Sequence, residues 1–267
     1  MDQRVCENLS RLFSLEGKVI VMTGAAGAIG SELSKGMAGV GGRMILCDVN
    51  EERLESLAEE IRSAGGEAQA MPLNLLEVGT IRPCVERIEA EYGRIDVLVN
   101  MAGINKRKPI MDNDPELFDR IMGVNLKGAY FMSQAAAEVM KKNQSGSIIN
   151  VASYNAVMML GGNSIYGASK SGVAAMTRSQ AIEWAKYGIR SNALSPGHIR
   201  TQLTAPLWDD PELSKYMLDR IAMARPGTPQ DLLGMTILLA SDASAYMSGM
   251  LYHVDGGCLA GGQPWNI

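Results

Sequence analysis

The order of elements along the chain predicts an α/β fold: a single-domain doubly wound parallel sheet with helices on both faces. Three observations carry the prediction. Short β-branched runs alternate with helical periodicity from residue 18 to residue 254; the first run empties into a glycine-rich turn that opens a helix; and no linker, repeat or low-complexity segment divides the 267 residues. Alternation of this kind builds βαβ units, whose crossovers lay helices on a parallel sheet. A chain of this length encloses a sizeable core.

Residues 1–16 read as a lead-in segment, with Val5, Leu9, Leu12 and Phe13 at helical spacing and an expected packing role against the domain or a neighbouring subunit. The domain proper is expected over 17–267. Its first strand, residues 18–23, ends in Thr23-Gly24-Ala25-Ala26-Gly27-Ala28-Ile29-Gly30. Strand, glycine turn and helix together leave backbone N–H groups free at a helix N-terminus, where a phosphate sits. The next strand, 43–47, ends at Asp48. An acid about twenty residues past such a turn accepts from an adenosine ribose 2′-hydroxyl and repels a 2′-phosphate, so Asp48 favours NAD over NADP. Capping the helix that starts near Asn50 is its competing use.

A charged helix over 51–63 and a strand over 67–71 precede Asn74, whose amide is placed to reach an adenine edge or simply to make a turn. Pro83 belongs in a first helical turn, which starts the next helix near Thr80 or Ile81. The strand over 95–99 runs into Asn100-Met101-Ala102-Gly103, small residues that let backbone approach a flat ring. Beyond lies the cluster Asn105-Lys106-Arg107-Lys108, at the sheet edge where open α/β folds bind ligands. It reads either as a solvated face or as an anion site centred on the Arg107 fork. One long helix is expected over 115–140, with Asn125 among apolar neighbours; a kink there would free a carbonyl to hold a water.

The strand over 147–151 delivers Ser153, and a helix follows with Tyr166 and Lys170 four residues apart on one face. An ammonium beside a phenol favours the phenolate, which would make Tyr166 a base near neutral pH. After a strand over 189–194, the polar, weakly periodic stretch 198–226 has the length of a functional lid, with Trp208, Tyr216 and Met217 either closing over a substrate or packing on the body. A helix over 230–239 and a strand over 251–254 finish the alternation, and Trp265 in the tail is expected to dock on another subunit.

Composition narrows the partners. With 25 basic against 29 acidic residues and a net charge of −4, there is no basic footprint for nucleic acid or an anionic membrane, and a small molecule is the expected partner. Cys6, Cys47, Cys84 and Cys258 are scattered, and with His198 and His253 they form no ligand spacing, so reduced thiols and no metal are expected. The N-terminus lacks the apolar run of a signal peptide and no segment has membrane-span length, which points to a cytoplasmic protein.

Thr23 to Gly30, Asp48, Asn100 to Gly103, Asn125, Ser153, Tyr166-x-x-x-Lys170, Pro196-Gly197 and Val254-Asp255-Gly256-Gly257 together resemble the compact branch of the short-chain dehydrogenase/reductase superfamily, from Leu15 to Gly257. The resemblance implies a Rossmann-like fold, with Tyr166 as base, Lys170 holding the nicotinamide ribose, Ser153 bonding the substrate oxygen and Asn125 holding a relay water. It also implies a cofactor lining of Gly24, Gly27, Ile29, Gly30, Asp48, Asn74, Leu75, Asn100, Ala102, Gly103, Tyr166, Lys170, Pro196, Gly197, Ile199 and Thr201. A homotetramer or homodimer is the usual assembly of the superfamily. Two positions depart from its pattern: Ala28 replaces a glycine, and Asn74 an aspartate. The spacing of Gly24, Gly27 and Gly30 also suits the extended branch, but too little chain follows Tyr166 for a nucleotide-sugar domain.

Within the superfamily, AGINKRKPI, SQAAAEVM, IEWAKYGI and LDRIAMARPGTPQDLLG look like the gluconate 5-dehydrogenase and 2-dehydro-3-deoxy-gluconate 5-dehydrogenase group. This resemblance implies a sugar-acid substrate touching Lys106, Arg107, Ser153, Asn155 and Tyr166. A polyol or ketose reductase, a 3-oxoacyl reductase and a cofactor-binding protein without turnover are the alternatives.

Overall fold

The computed structural model describes residues 2–202 and 204–262. Seven strands form one parallel sheet in the order β3-β2-β1-β4-β5-β6-β7: Glu67–Ala70, Arg43–Cys47, Val19–Thr23, Val97–Asn100, Gly146–Val151, Ile189–Pro196 and Leu251–Val254. Strand order reverses direction between β1 and β4. That switch point opens a crevice at the carboxyl ends of the strands.

Each strand divides its side chains between two cores. Ile20 and Met22 of β1 pack with Leu33 and Met37 of α2 (Ala28–Ala38), Leu54 of α3 (Glu51–Ser63) and Leu232 of α10 (Pro229–Ala240). Val19 and Val21 face the other way, onto Ile81 and Ile88 of α4 (Ile81–Tyr92) and Met132 of α6 (Ala129–Lys142). Burial on both faces explains why β1 is apolar from residue 19 to residue 22. Each such side chain contributes about 1.5–3 kcal/mol of transfer free energy.

Pro83 lies in the first turn of α4, as its missing N–H requires. The helix expected over 115–140 is instead two: α5 (Pro115–Met122) passes through a π-helical segment, Gly123–Gly128, into α6. The widened turn surrounds Asn125 and supplies the physical form of the expected kink. Residues 198–226 contain α8 (Ala205–Asp209) and α9 (Pro211–Leu218), each with proline in its first turn. Trp208, Met217 and Ile221 are buried together there and give the segment a small core.

The lead-in helix α1 spans Gln3–Phe13, capped by the Asp2 carboxylate. Among the described residues of its expected packing face, Leu9, Leu12 and Phe13 are exposed. Trp265 lies outside the described residues. Among the described residues no helix is long and apolar enough to cross a membrane.

Candidate active site

A cleft of about 890 Å³ runs across the carboxyl edge of the sheet, from Gly24 and Asp48 at one end to Arg107 and Trp208 at the other. Its volume is that of a small-molecule or cofactor site. At the first end, β1 turns sharply into α2. Gly24 has φ of +67°, and a Cβ there would stand 2.6 Å from the Ala102 backbone; a Cβ on Gly30 would stand 2.2 Å from the Gly24 carbonyl. Only glycine fits either position. The α2 cap, Gly27, offers no side-chain acceptor, so the first amides of the helix turn toward the cleft unspent on a cap.

Asp48 lines this end from the tip of β2, and both of its oxygens are already bonded. Oδ2 accepts from the Ala26 amide at 3.1 Å and Oδ1 from the Asn50 amide at 3.1 Å. The α3 cap is Asn50, whose side chain accepts from Arg53 N. Arg53 leans back onto the same glycine turn, donating Nε–H to the Ala26 carbonyl at 2.7 Å.

In the middle of the cleft, β5 delivers Ser153, which opens a 3₁₀ turn by accepting from the Asn155 amide at 3.1 Å. Helix α7 (Ser164–Trp184) brings Tyr166 and Lys170 to the same wall. Lys170 Nζ donates to the Val151 carbonyl at 2.7 Å and lies 5.7 Å from the Tyr166 ring centroid. Gly103 lets the loop after β4 pass the ammonium, for a Cβ there would sit 3.2 Å from Nζ.

Burial governs both groups. It pulls the Lys170 ammonium down to about 8 and raises the Tyr166 phenol, which the Ser153 hydroxyl pulls the other way. The expected lowering of the phenol by Lys170 is therefore absent in the protein alone. Lys170 spends its hydrogen bond on Val151, and desolvation outweighs any attraction across that gap.

Of the residues picked out from the sequence, Gly24, Gly27, Ile29, Gly30, Asp48, Asn74, Leu75, Ala102, Gly103, Arg107, Ser153, Asn155, Tyr166, Lys170, Pro196, Gly197, Ile199 and Thr201 line this one cleft. Asn100, Asn125 and Lys106 do not. Asn100 turns its amide inward, donating to Ser133 Oγ and Asn150 Oδ1, both at 2.8 Å. It begins a buried polar network that continues from Asn150 to Thr177, Gln180 and Ser191 and holds β4, β5 and β6 in register. Asn125 is a clamp: it accepts from the Ile104 amide, and donates to the Ile104 carbonyl and Ser169 Oγ. Lys106 is exposed, while Lys108 is paired with Asp114 at 2.8 Å. Of the basic cluster, only Arg107 lines the cleft.

Asn74 lines the cleft, but its amide serves its own turn, accepting from the Leu76 amide and donating to Glu77. Thr201 is similarly engaged with Thr204. Several contacts along the lining carry no local sequence signal. Asn105, Asn163 and Asn155 hand amide bonds along the wall to the Met158 carbonyl. Tyr154 Oη meets His198 Nε2 at 3.3 Å, and His198 stands edge-on to Trp208. Burial and the charges of Arg107 and Arg220 bring His198 down to about 4, so its ring is neutral at ordinary pH. Of the aromatic and methionine groups picked out in the 198–226 stretch, Trp208 and Met217 line the cleft and Tyr216 is exposed.

A turn shaped for a dinucleotide phosphate and a serine, tyrosine and lysine on one wall of the same cleft define an oxidoreductase of the Rossmann type. Residues 24–258 match the family model described as "Enoyl-(Acyl carrier protein) reductase". The chain belongs to the short-chain dehydrogenase/reductase family, whose dehydrogenases act on CH–OH groups. It is similar to the 2-dehydro-3-deoxy-D-gluconate 5-dehydrogenase of Escherichia coli K12, 39% identical over 93% of this chain and 98% of that protein. The 5-keto-D-gluconate 5-reductase of the same organism is 36% identical over 94% and 99%. Among solved structures, a gluconate 5-dehydrogenase from Burkholderia cenocepacia in complex with NADP and tartrate superposes with a TM-score of 0.91, at 34% identity over 94% of this chain and 98% of that one.

Proposed function

We propose that the protein transfers a hydride between a nicotinamide dinucleotide and a secondary alcohol or ketone carbon of a sugar acid. The observation that carries this reading is the convergence of Ser153, Tyr166, Lys170 and Arg107 on a single cleft. The turn at Gly24 and Gly30 fits a pyrophosphate because a side chain at either position would fill the space. When bound, the nicotinamide supplies the hydride acceptor or donor.

The chain supplies the proton handling and the grip. Ser153 and Tyr166 hold the substrate oxygen, and Tyr166 takes its proton during oxidation or returns it during reduction. Lys170, already nearly dehydrated, stabilises the phenolate once it forms. Asn125 fixes the Ile104 loop against α7, and the π-helical turn around it is where a carbonyl is free to hold a relay water. Arg107 meets the substrate carboxylate. The carboxylate of Asp48, held in place by two backbone amides, favours the 2′-hydroxyl of NAD over a 2′-phosphate. The relative from Burkholderia cenocepacia carries NADP, so this preference is tested directly by measuring both cofactors. Residues 198–226 act as a lid closing on the bound acid, and a homo-oligomer in the cytoplasm is the expected setting.

Absorbance at 340 nm, followed across a panel of sugar acids with each cofactor, tests the proposal. Turnover of a gluconate-type acid is expected, faster with NAD. No turnover of any acid in the panel contradicts the substrate class, and preference for NADP contradicts the role given to Asp48.

A further inference from the structure

The glycine turn is gripped from outside by one side chain. Within Gly24 to Gly30, three amides are held by fixed acceptors: Ala25 N donates to the Cys47 carbonyl at 3.2 Å, Ala26 N to Asp48 Oδ2 at 3.1 Å and Gly27 N to the Gly24 carbonyl at 3.2 Å. The next three belong to Ala28, Ile29 and Gly30, which all line the cleft. They precede the first amide bonded back along α2, Ser31 N to the Gly27 carbonyl. These are the groups available to a phosphate.

Their aim depends on the peptide joining Ala26 to Gly27. Neither residue has a side chain that can hold it, and glycine accepts either sign of φ, so nothing local resists its rotation. Rotation would break the Gly27 bond and re-aim the amides that follow. Arg53 opposes it, reaching from the first turn of α3 to donate Nε–H to the Ala26 carbonyl at 2.7 Å. That turn is itself fastened to the acid at the end of β2: Asn50 N donates to Asp48 Oδ1, and the Asn50 side chain accepts from Arg53 N. Asp48 therefore holds the N–H of Ala26 while Arg53 holds its C=O. Arg53 is exposed and does not line the cleft, so its influence on a ligand passes through the backbone.

Resting on the dinucleotide reading above, we infer that Arg53 is a positioning residue for the cofactor: its Nε–H fixes the Ala26 carbonyl, and with it the direction of the Ala28, Ile29 and Gly30 amides that receive the pyrophosphate. A turn already set in this direction binds without the ordering cost that a loose one incurs. The pyrophosphate is common to NAD and NADP, so the effect is the same for both.

Two variants separate the hydrogen bond from the charge. Arg53→Met keeps the stem and removes the donor, whereas Arg53→Gln removes the charge and keeps an N–H donor the same number of bonds from the backbone. Calorimetric titration of the whole protein with NAD and with NADP, without substrate, reads the cofactor dissociation constants. Arg53→Met is expected to weaken both about tenfold, the loss of one charge-assisted hydrogen bond, and Arg53→Gln to stay within about threefold of wild type. In turnover, the KM for the cofactor is expected to rise to match in Arg53→Met, with kcat and the KM for a sugar acid within about twofold. Unchanged dissociation constants in Arg53→Met overturn the inference. Equal weakening in the two variants, or a loss confined to NADP, assigns the effect to charge and also overturns it. A loss of affinity matched by a fall in the cofactor-free urea midpoint makes the role one of stability alone, which overturns it as well. If the wild type binds neither NAD nor NADP, the dinucleotide reading itself fails and the inference with it.

Discussion

The two ends of the cleft are built by different means. At the nucleotide end the shape comes from backbone: a glycine at φ of +67°, a second glycine packed against the first one's carbonyl, and a carboxylate fixed by two amides. At the substrate end it comes from side chains on remote segments, with Arg107, Tyr154, His198 and Trp208 meeting across a hundred residues of chain. Backbone geometry tolerates few sequences and receives a ligand common to many enzymes. Side-chain geometry is easily changed and sets what a single enzyme accepts.

The sharpest way to break this contrast lies between the two ends. Tyr166→Phe is expected to lower kcat by about 10³-fold or more while the cofactor dissociation constant stays within about twofold. Near wild-type turnover would remove Tyr166 from the chemistry. Burial raises the phenol, so oxidation, which needs it deprotonated, is expected to quicken as pH rises, and ketone reduction to slow. The pH profiles of the two directions check the sign.

Arg107→Ala tests the substrate end alone. A rise of about 10–100-fold in KM for a sugar acid is expected, against little change for a neutral polyol, because a charge-assisted hydrogen bond is lost only for the acid. Equal effects on the two substrates would leave the basic cluster as a solvated face. At the nucleotide end, Asp48→Ala is expected to improve kcat/KM with NADP about tenfold relative to NAD, as one like-charge repulsion is removed. An unaltered ratio would show that the carboxylate only braces the turn.

The remaining effect is on stability rather than on turnover. His198 titrates at about 4 in the folded chain against 6.5 when free, so the unfolded chain binds its proton first as pH falls. The stability this residue contributes is complete above pH 6.5 and lost as pH drops through about 4, a difference of about 3 kcal/mol. His198→Asn is expected to flatten the dependence of urea midpoints on pH across that window. An equal slope in variant and wild type would place His198 in water.

The same contrast explains what the sequence made legible. Alternating runs, the glycine turn, Asp48 and the Tyr166 and Lys170 spacing are local patterns, and the parallel sheet and the middle of the cleft follow from them. Asn125 was visible as a buried amide in a kinked helix, and the π-helical turn is that kink. Its clamp on Ile104 is a contact 21 residues away, which no local pattern encodes. Asn100 misled for a related reason: it stands beside residues that line the cleft, yet its amide points into the sheet network. Lys106 and Arg107 are adjacent in sequence and both exposed, yet only Arg107 lines the cleft. Trp208 of α8 meets His198, just past the end of β6, edge-on, a contact no local pattern encodes.

The measurement that tests the central claim most directly is the ratio of kcat/KM for a sugar acid to that for the alcohol of the same carbon skeleton, taken on the wild-type protein with NAD. A ratio well above ten for D-gluconate over D-sorbitol is expected from a site that reads the carboxylate through Arg107. A ratio at or below one would contradict it and make the substrate a neutral alcohol.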